Sequence, residues 1–159
     1  MTEDKERTTL SKAIKIAKLR NGAVIDHLRP GTAMKAIEVL GVSDGSTALT
    51  VGMYLVSSKI GHKDILKIEN RTLTPDEINK IAVLSPEATL CNIRDYQVVD
   101  KIKAHLPPEI QGIMRCNNPK CITNHEKITT RFTVQADNPI RVQCRYCERF
   151  MTGKDIELL

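Results

Sequence analysis

No tryptophan occurs in this chain, and only three tyrosines and two phenylalanines supply its aromatic side chains. Tyr54, Tyr96, Phe132, Tyr146 and Phe150 are scattered, so a stacking platform for single-stranded nucleic acid is poorly supported. No block of lysines and arginines marks an electrostatic stripe. No apolar run approaches the ~18 residues of a membrane span. The start, Met1 to Lys12, is charged and lacks the apolar centre of a signal peptide. A glycine-rich phosphate loop, a G-x-S-x-G elbow and an H-E-x-x-H helix are all missing, which removes the commonest catalytic signatures. His62, His105 and His125 have no partner at metal-ligand spacing. These absences lead to the expectation of a soluble, cytoplasmic chain with no catalytic constellation.

What the chain does have is cysteine in a pattern. Cys116, Cys121, Cys144 and Cys147 read C-x4-C, a gap of 22 residues, then C-x2-C. Two thiol pairs on tight loops are what a tetrahedral zinc site needs, with each sulfur about 2.3 Å from the metal. Asn117-Asn118-Pro119 makes a turn inside the first pair, and Arg145-Tyr146 lies inside the second. Disulfides would require an oxidising compartment. A redox use of Cys144 and Cys147 would leave Cys116 and Cys121 without a role. The expectation is one structural zinc per chain, closed by four thiolates and therefore not catalytic. The fifth cysteine, Cys91, reads as a small buried residue.

The formal charge is +5. Four thiolates and one Zn²⁺ contribute a net −2 and leave about +3, part of it from Arg115, Lys120, Arg145 and Arg149 beside the cysteines. Charge therefore offers little support for a nucleic-acid partner.

Taken in order, residues 1–13 form an arm of mixed charge. An apolar stretch from Ile14 leads into a strand ending near Leu28, and Arg29-Pro30-Gly31 is a turn. Thr32 is a candidate cap for a helix from Ala33 to Leu40, with Met34, Ile37 and Leu40 inward. Leu49, Val51, Met53 and Leu55 alternate with Thr50, Gly52 and Tyr54 as a half-buried strand. After a reversal at Ser57 to Gly61, Asp64, Leu66 and Ile68 share one face of a second strand, with Lys63, Ile65 and Lys67 on the other. Thr74-Pro75-Asp76-Glu77 starts a helix with a capping box. Ala88 to Ile93 and Tyr96 to Val99 read as further strands.

The order β-α-β, β-α-β predicts an α+β fold, a ferredoxin-like antiparallel sheet with two helices on one face, followed by a small all-β zinc-binding domain. The boundaries expected are 1–102 for the first domain, 103–112 for a proline-bearing linker and 113–159 for the zinc domain.

With helices on one face, the other is free to bind. Lys63 and Lys67 flank Ile65 about 13 Å apart, Asp26 and His27 end the first strand, and Lys101 lies at the end of the last. Lysines around a small apolar patch suit an anion with a planar part, such as a nucleotide. The same pattern also suits a solvated outer sheet face.

Four runs come in order along the chain: Val24-Ile25-Asp26-His27, Lys63-Asp64-Ile65-Leu66-Lys67-Ile68-Glu69-Asn70, Ser85-Pro86-Glu87-Ala88-Thr89, and Asp95-Tyr96-Gln97-Val98-Val99-Asp100-Lys101. Together with the four cysteines they resemble the regulatory chain of aspartate carbamoyltransferase. The resemblance covers essentially everything after the first dozen residues.

It implies a non-catalytic subunit of pyrimidine biosynthesis, with an allosteric domain for CTP, ATP and, as a further candidate, UTP, and a zinc domain that grips catalytic trimers. Allosteric domains of the family pair into dimers. By position, Asp26 and His27 would border ribose and phosphates, Lys63 and Lys101 would meet phosphates, and Lys67 would approach base and ribose. Ile16, Leu19, Val24, Ile65, Ile93, Tyr96 and Val98 would shape the base pocket. The chain departs from the family where Thr89-Leu90-Cys91 replaces a usual Thr-Val-Asn, with Asn92 one residue on. The alternative, from another class, is a zinc-ribbon nucleic-acid-binding protein; a zinc-dependent enzyme is disfavoured by the closed thiolate set.

Overall fold

The structure is a computed structural model that describes residues 18–159. Ile16, expected at the base pocket, lies outside the described residues.

Five strands form the first sheet: β1 (Gly22–Leu28), β2 (Leu49–Ser57), β3 (Gly61–Glu69), β4 (Thr89–Arg94) and β5 (Gln97–Lys103). Helices α1 (Ala33–Val39) and α2 (Pro75–Leu84) connect β1 to β2 and β3 to β4. The order β2-β3-β1-β4-β5 is the antiparallel ferredoxin-like arrangement, extended by one edge strand. Ala23, Ile25, Leu66, Ile68 and Leu90 point inward and are buried with Ala33, Ala36, Ile81 and Ala82 of the helices. The alternation expected in β3 holds along its length: Asp64, Leu66 and Ile68 are buried, and Lys63, Ile65 and Lys67 are half-buried on the other face. Gly22 is required where β1 meets β3, because a Cβ there would lie 2.0 Å from the Ile68 carbonyl oxygen.

Four local expectations change. Thr32 occupies the N-cap position of α1, but its side chain does not cap the helix; its hydroxyl donates to the Arg29 carbonyl at 2.7 Å. Asp64 does that work from β3, accepting from the N–H groups of Gly31 at 2.9 Å and Ala33 at 3.1 Å. Met34 is exposed, and Ala33, Ala36 and Ile37 form the inward face of α1 instead. In β2 the period-2 pattern breaks at a bulge between Gly52 and Leu55, where Tyr54 adopts φ 55°. The Tyr54 N–H turns to the other carboxylate oxygen of Asp64 at 2.9 Å. As an edge strand, β2 leaves Val51 and Met53 exposed where a half-buried strand was expected, and Tyr54 and Val56 are exposed as well.

By contrast, the start of α2 follows the sequence. Thr74 accepts from the Glu77 N–H and the Glu77 carboxylate accepts from the Thr74 N–H, closing the capping box. Asp95 and Tyr96 both have positive φ, 48° and 64°, and join β4 to β5 as a two-residue hairpin turn.

The second half is all-β. Strands β6 (Glu109–Gln111), β8 (Arg131–Asp137), β9 (Ile140–Cys144) and β10 (Phe150–Thr152) form a sheet in the order β10-β9-β8-β6. β7 (Met114–Arg115) pairs with β11 (Glu157–Leu158). Phe132, Ile110, Val142 and Met151 are buried at its centre. Within residues 103–112, Lys103 ends β5 and Glu109–Gln111 are β6, so residues 104–108 connect the two sheets. They are held at both ends: the Ala104 N–H donates to the Ala88 carbonyl at 2.8 Å, and the Pro108 carbonyl accepts from Val134 at 3.0 Å.

Candidate metal centre and effector face

The four cysteines converge. Cys116 follows β7, Cys121 starts a short 3-10 turn, Cys144 ends β9 and Cys147 lies in the loop to β10. All four sulfurs lie within 4.8 Å of one another. Cys116 and Cys147 are 3.6 Å apart, and Cys121 and Cys144 are 3.8 Å apart. Tetrahedral ligands about 2.3 Å from one ion stand about 3.8 Å from each other, whereas a disulfide needs about 2.0 Å. The donor set therefore fits a metal ion and not two disulfides.

Local hydrogen bonds hold the loops in that geometry. The Asn124 amide donates to the carbonyls of Cys116 and Asn118, both at 2.8 Å. Cys144 and Glu148 close the second loop through Cys144 N–H to Arg149 carbonyl at 3.0 Å and Glu148 N–H to Cys144 carbonyl at 2.9 Å. Exposed His125 lies 2.7 Å through Nε2 from the Pro119 carbonyl and pins the first loop, a role its spacing did not reveal. Burial pushes the thiols of Cys116 and Cys144 upward. Burial also opposes ionisation of Cys147, yet hydrogen bonds from Asn118, Arg149, Cys116 and Cys144 bring it down to about 7. Closing the site around a metal ion therefore expels protons.

Of the expected effector residues, Val24, Lys63, Ile65, Lys67 and Lys101 lie on the helix-free face of the first sheet. Strand pairing sets Lys67, Val24, Cys91 and Lys101 side by side in one row, across β3, β1, β4 and β5. Three strand spacings separate the two lysine backbones, about 14 Å. A neighbouring row carries Ile93 opposite Val98, with Tyr96 exposed at the hairpin turn beyond it. On the other side Asp26 pairs with Thr89, which pairs with Lys103. Ile65 lies half-buried on β3 between Lys63 and Lys67. Leu19 is buried ahead of β1, close against Gly22.

Asp26 is already engaged. The Lys63 ammonium lies 2.8 Å and 3.0 Å from its two oxygens, and the His27 N–H donates to it at 2.7 Å. His27 adopts φ 59°, and its Nδ1 is buried without a hydrogen-bond partner, 3.6 Å from Asp26. Burial lowers its pKa, and Lys63, Lys59 and Lys101 push the same way against Asp26. Lys67 is also lowered, chiefly by burial, with Asp26 opposing. Lys101 is exposed and forms no ion pair among the described residues.

Cys91 corrects its own expectation: it is half-buried on this outer face, not a core residue. Burial raises its thiol while Lys101 pulls it down. Asn92 lines a cleft with Asn21, Asn70, Arg71, Thr72 and Ile93. Two cations were missed. Lys59, in the β2–β3 hairpin, acts on His27 through space, and Lys103 joins the Asp26 row because β5 runs further than its apolar residues suggest. Only long-range pairing brings either one to the face.

No helix among the described residues is long and apolar enough to cross a membrane.

Residues 14–105 match the family described as aspartate carbamoyltransferase regulatory chain, allosteric domain. Residues 108–157 match its metal binding domain. The aspartate carbamoyltransferase regulatory chain of Pyrococcus abyssi is 46% identical over 145 residues, covering 90% of this chain and 95% of the relative. That of Methanosphaera stadtmanae is 45% identical over 145 residues, covering 91% and 95%. That of Methanothermobacter thermautotrophicus is 42% identical over 145 residues, covering 91% and 93%. The nucleic-acid-binding alternative is thereby set aside, and the chain belongs to the aspartate carbamoyltransferase regulatory chain family, as a non-catalytic regulatory subunit with an allosteric and a metal-binding domain.

Proposed function

We propose that the outer face of the five-stranded sheet binds a nucleoside triphosphate effector, CTP or ATP with UTP as a further candidate. We propose equally that the metal-binding domain holds one zinc and passes the effector's signal to catalytic trimers of aspartate carbamoyltransferase. The observation that carries the reading is the row Lys67–Val24–Cys91–Lys101 with the Asp26–Lys63 pair beside it. It puts ammonium groups at both ends of an apolar strip, which suits a base lying on the strip with phosphates at its edge.

Lys63 and Lys101 would neutralise phosphates. Asp26 would accept from ribose hydroxyls, and the unpartnered Nδ1 of His27 offers the ligand a further polar atom. Lys67, with its lowered pKa, would face the base and ribose. Leu19, Val24, Ile65, Ile93, Tyr96 and Val98 would wall the base.

The thiolate set of Cys116, Cys121, Cys144 and Cys147 suits zinc, which supplies folding energy and no chemistry when bound. Exposed Ile122, Tyr146 and Phe150 near those cysteines offer apolar area to the catalytic chain. A regulatory dimer is supported by the unpaired edge of β2, where Val56 is 78% and Tyr54 67% exposed. The assembly would work in the cytoplasm. A nucleotide that binds two states of this assembly unequally shifts their populations, typically by a coupling of about 1–3 kcal/mol.

The test is calorimetric titration of the zinc-loaded protein with CTP and ATP, beside Lys101→Ala. Saturable binding that is lost in the variant, with zinc retained, supports the site. No binding by the folded wild type overturns it.

A further inference from the structure

We propose that Arg29, Glu87 and Asn138 form a polar latch that holds the metal-binding domain in one orientation against the allosteric domain, and that effector binding at the end of β1 acts on the catalytic chain through it. The second half of this inference rests on the effector site proposed above.

The latch is a closed set of hydrogen bonds, with Arg29 and Glu87 in the allosteric domain and Asn138 in the metal-binding domain. Arg29 grips Glu87 with two parallel bonds, Nε to Oε2 at 3.1 Å and Nη2 to Oε1 at 3.0 Å. Asn138, in the β8–β9 hairpin, completes the set. Its Oδ1 accepts from Arg29 Nη2 at 3.1 Å, and its Nδ2 donates to Glu87 Oε1 at 3.2 Å. Only one orientation of the amide works, since the flipped one would turn NH2 toward the guanidinium and oxygen toward the carboxylate. A planar fork and a planar amide thus determine an angle as well as a distance.

Each member sits where a displacement matters. Arg29 follows His27 by two residues, and Leu28 between them is fully buried. The Arg29 N–H donates to Ser85 Oγ at 3.0 Å, and its carbonyl accepts from Thr32. A shift of Asp26 and His27 toward phosphates therefore reaches Arg29 along a backbone with little slack. Glu87 adjoins Ala88, whose carbonyl holds Ala104 at the start of the connection between the sheets. The covalent joint and the latch are accordingly anchored on the same α2–β4 loop. Lys59 acts electrostatically on both His27 and Glu87, so one cation stands within reach of the effector face and of the latch.

The experiment uses enzyme reconstituted from catalytic trimers and zinc-loaded regulatory chains carrying Asn138→Ala, Arg29→Lys or both. For Asn138→Ala, zinc content and calorimetric affinity for CTP and ATP should stay within about two-fold of wild type. The change in catalytic activity caused by either nucleotide should fall by roughly three-fold or more. Arg29→Lys should do the same, because an ammonium lacks the planar fork that meets Glu87 in two parallel bonds while Nη2 also reaches Asn138. The double variant should lose no more than either single one, since each disables the same device. An unchanged response in Asn138→Ala, or losses that add in the double variant, would overturn the latch as a transmitter.

Hydrogen exchange at the Ala104 amide in the regulatory chain tests the orienting role without nucleotide. It should quicken by about five-fold in Asn138→Ala, and an unchanged rate would refute that role. Absence of nucleotide binding in the wild type would instead strike the effector site and remove transmission with it. The exchange result would still decide the orienting half.

Discussion

The two domains hold themselves together in different ways. The allosteric domain packs two helices on one face of a five-stranded sheet and buries residues from every layer, Ile25 and Leu66 in the sheet, Ala36 and Ile81 in the helices. The metal-binding domain has about fifty residues by its family match, short strands and no α-helix. Its four sulfurs occupy the place where a larger domain would put more apolar side chains. One half rests on area buried from water alone, and the other adds to a smaller buried core a set of four thiols that a metal ion can close.

The largest effect is expected at the metal centre. Cys144→Ser, or a strong chelator, should unfold the metal-binding domain, a loss on the order of 10 kcal/mol of binding-linked folding energy. The allosteric domain should keep its own thermal transition in circular dichroism, while assembly with catalytic trimers disappears. A single transition lost as a whole would show that the halves are not independent. Lowering the pH should act in the same direction. Thiols raised by burial must give up protons to bind metal, so metal affinity should fall as pH drops, read by release of zinc to an indicator.

The matching break in the first domain is Asp64. Its buried carboxylate accepts from Gly31, Ala33 and Tyr54, joining the start of α1 to the bulge of β2. Asp64→Ala would orphan three N–H groups and should destabilise this domain by about 3–5 kcal/mol in denaturant unfolding. Zinc content should be unaffected.

Smaller effects are expected at Lys101 and Glu87. Lys101→Ala should weaken nucleotide binding by roughly ten-fold while leaving both melting transitions within about 0.5 kcal/mol of wild type. The smallest concerns Glu87, whose carboxyl is held below its ordinary value chiefly by hydrogen bonding to Arg29. A depressed carboxylate contributes stability that is complete above the ordinary value of 4.5 and is lost as pH falls through the lowered one. The pair is partly exposed, so the loss should be about 1 kcal/mol or less. Comparing the acid limb of the stability curve with that of Glu87→Gln would measure it.

What could be read from the sequence was local. The cysteine spacing pointed to the metal centre because both pairs close over a few residues, and the Thr74–Glu77 capping box is written within one helical turn. The lysine face of β3 was legible because a strand alternates with period 2. What depended on distant pairing was not. Asp64 read as one more inward position on β3, yet it replaces Thr32 as the α1 cap from about thirty residues away. The β2 bulge, the reach of β5 and the arrival of Lys59 and Lys103 all follow from register, which no short window contains.

The pleat of the first sheet has a consequence for how such a protein can change. Inward residues carry the core, and the outward ones between them carry the proposed ligand chemistry, so the two sets are interleaved along the strands yet separated in space. A substitution at Cys91 or Val24 alters what the outer face offers without touching Ile25 or Leu90 beneath it. The ligand preference proposed for this face can then be re-engineered one outward position at a time, while the inward half of each strand keeps the architecture constant.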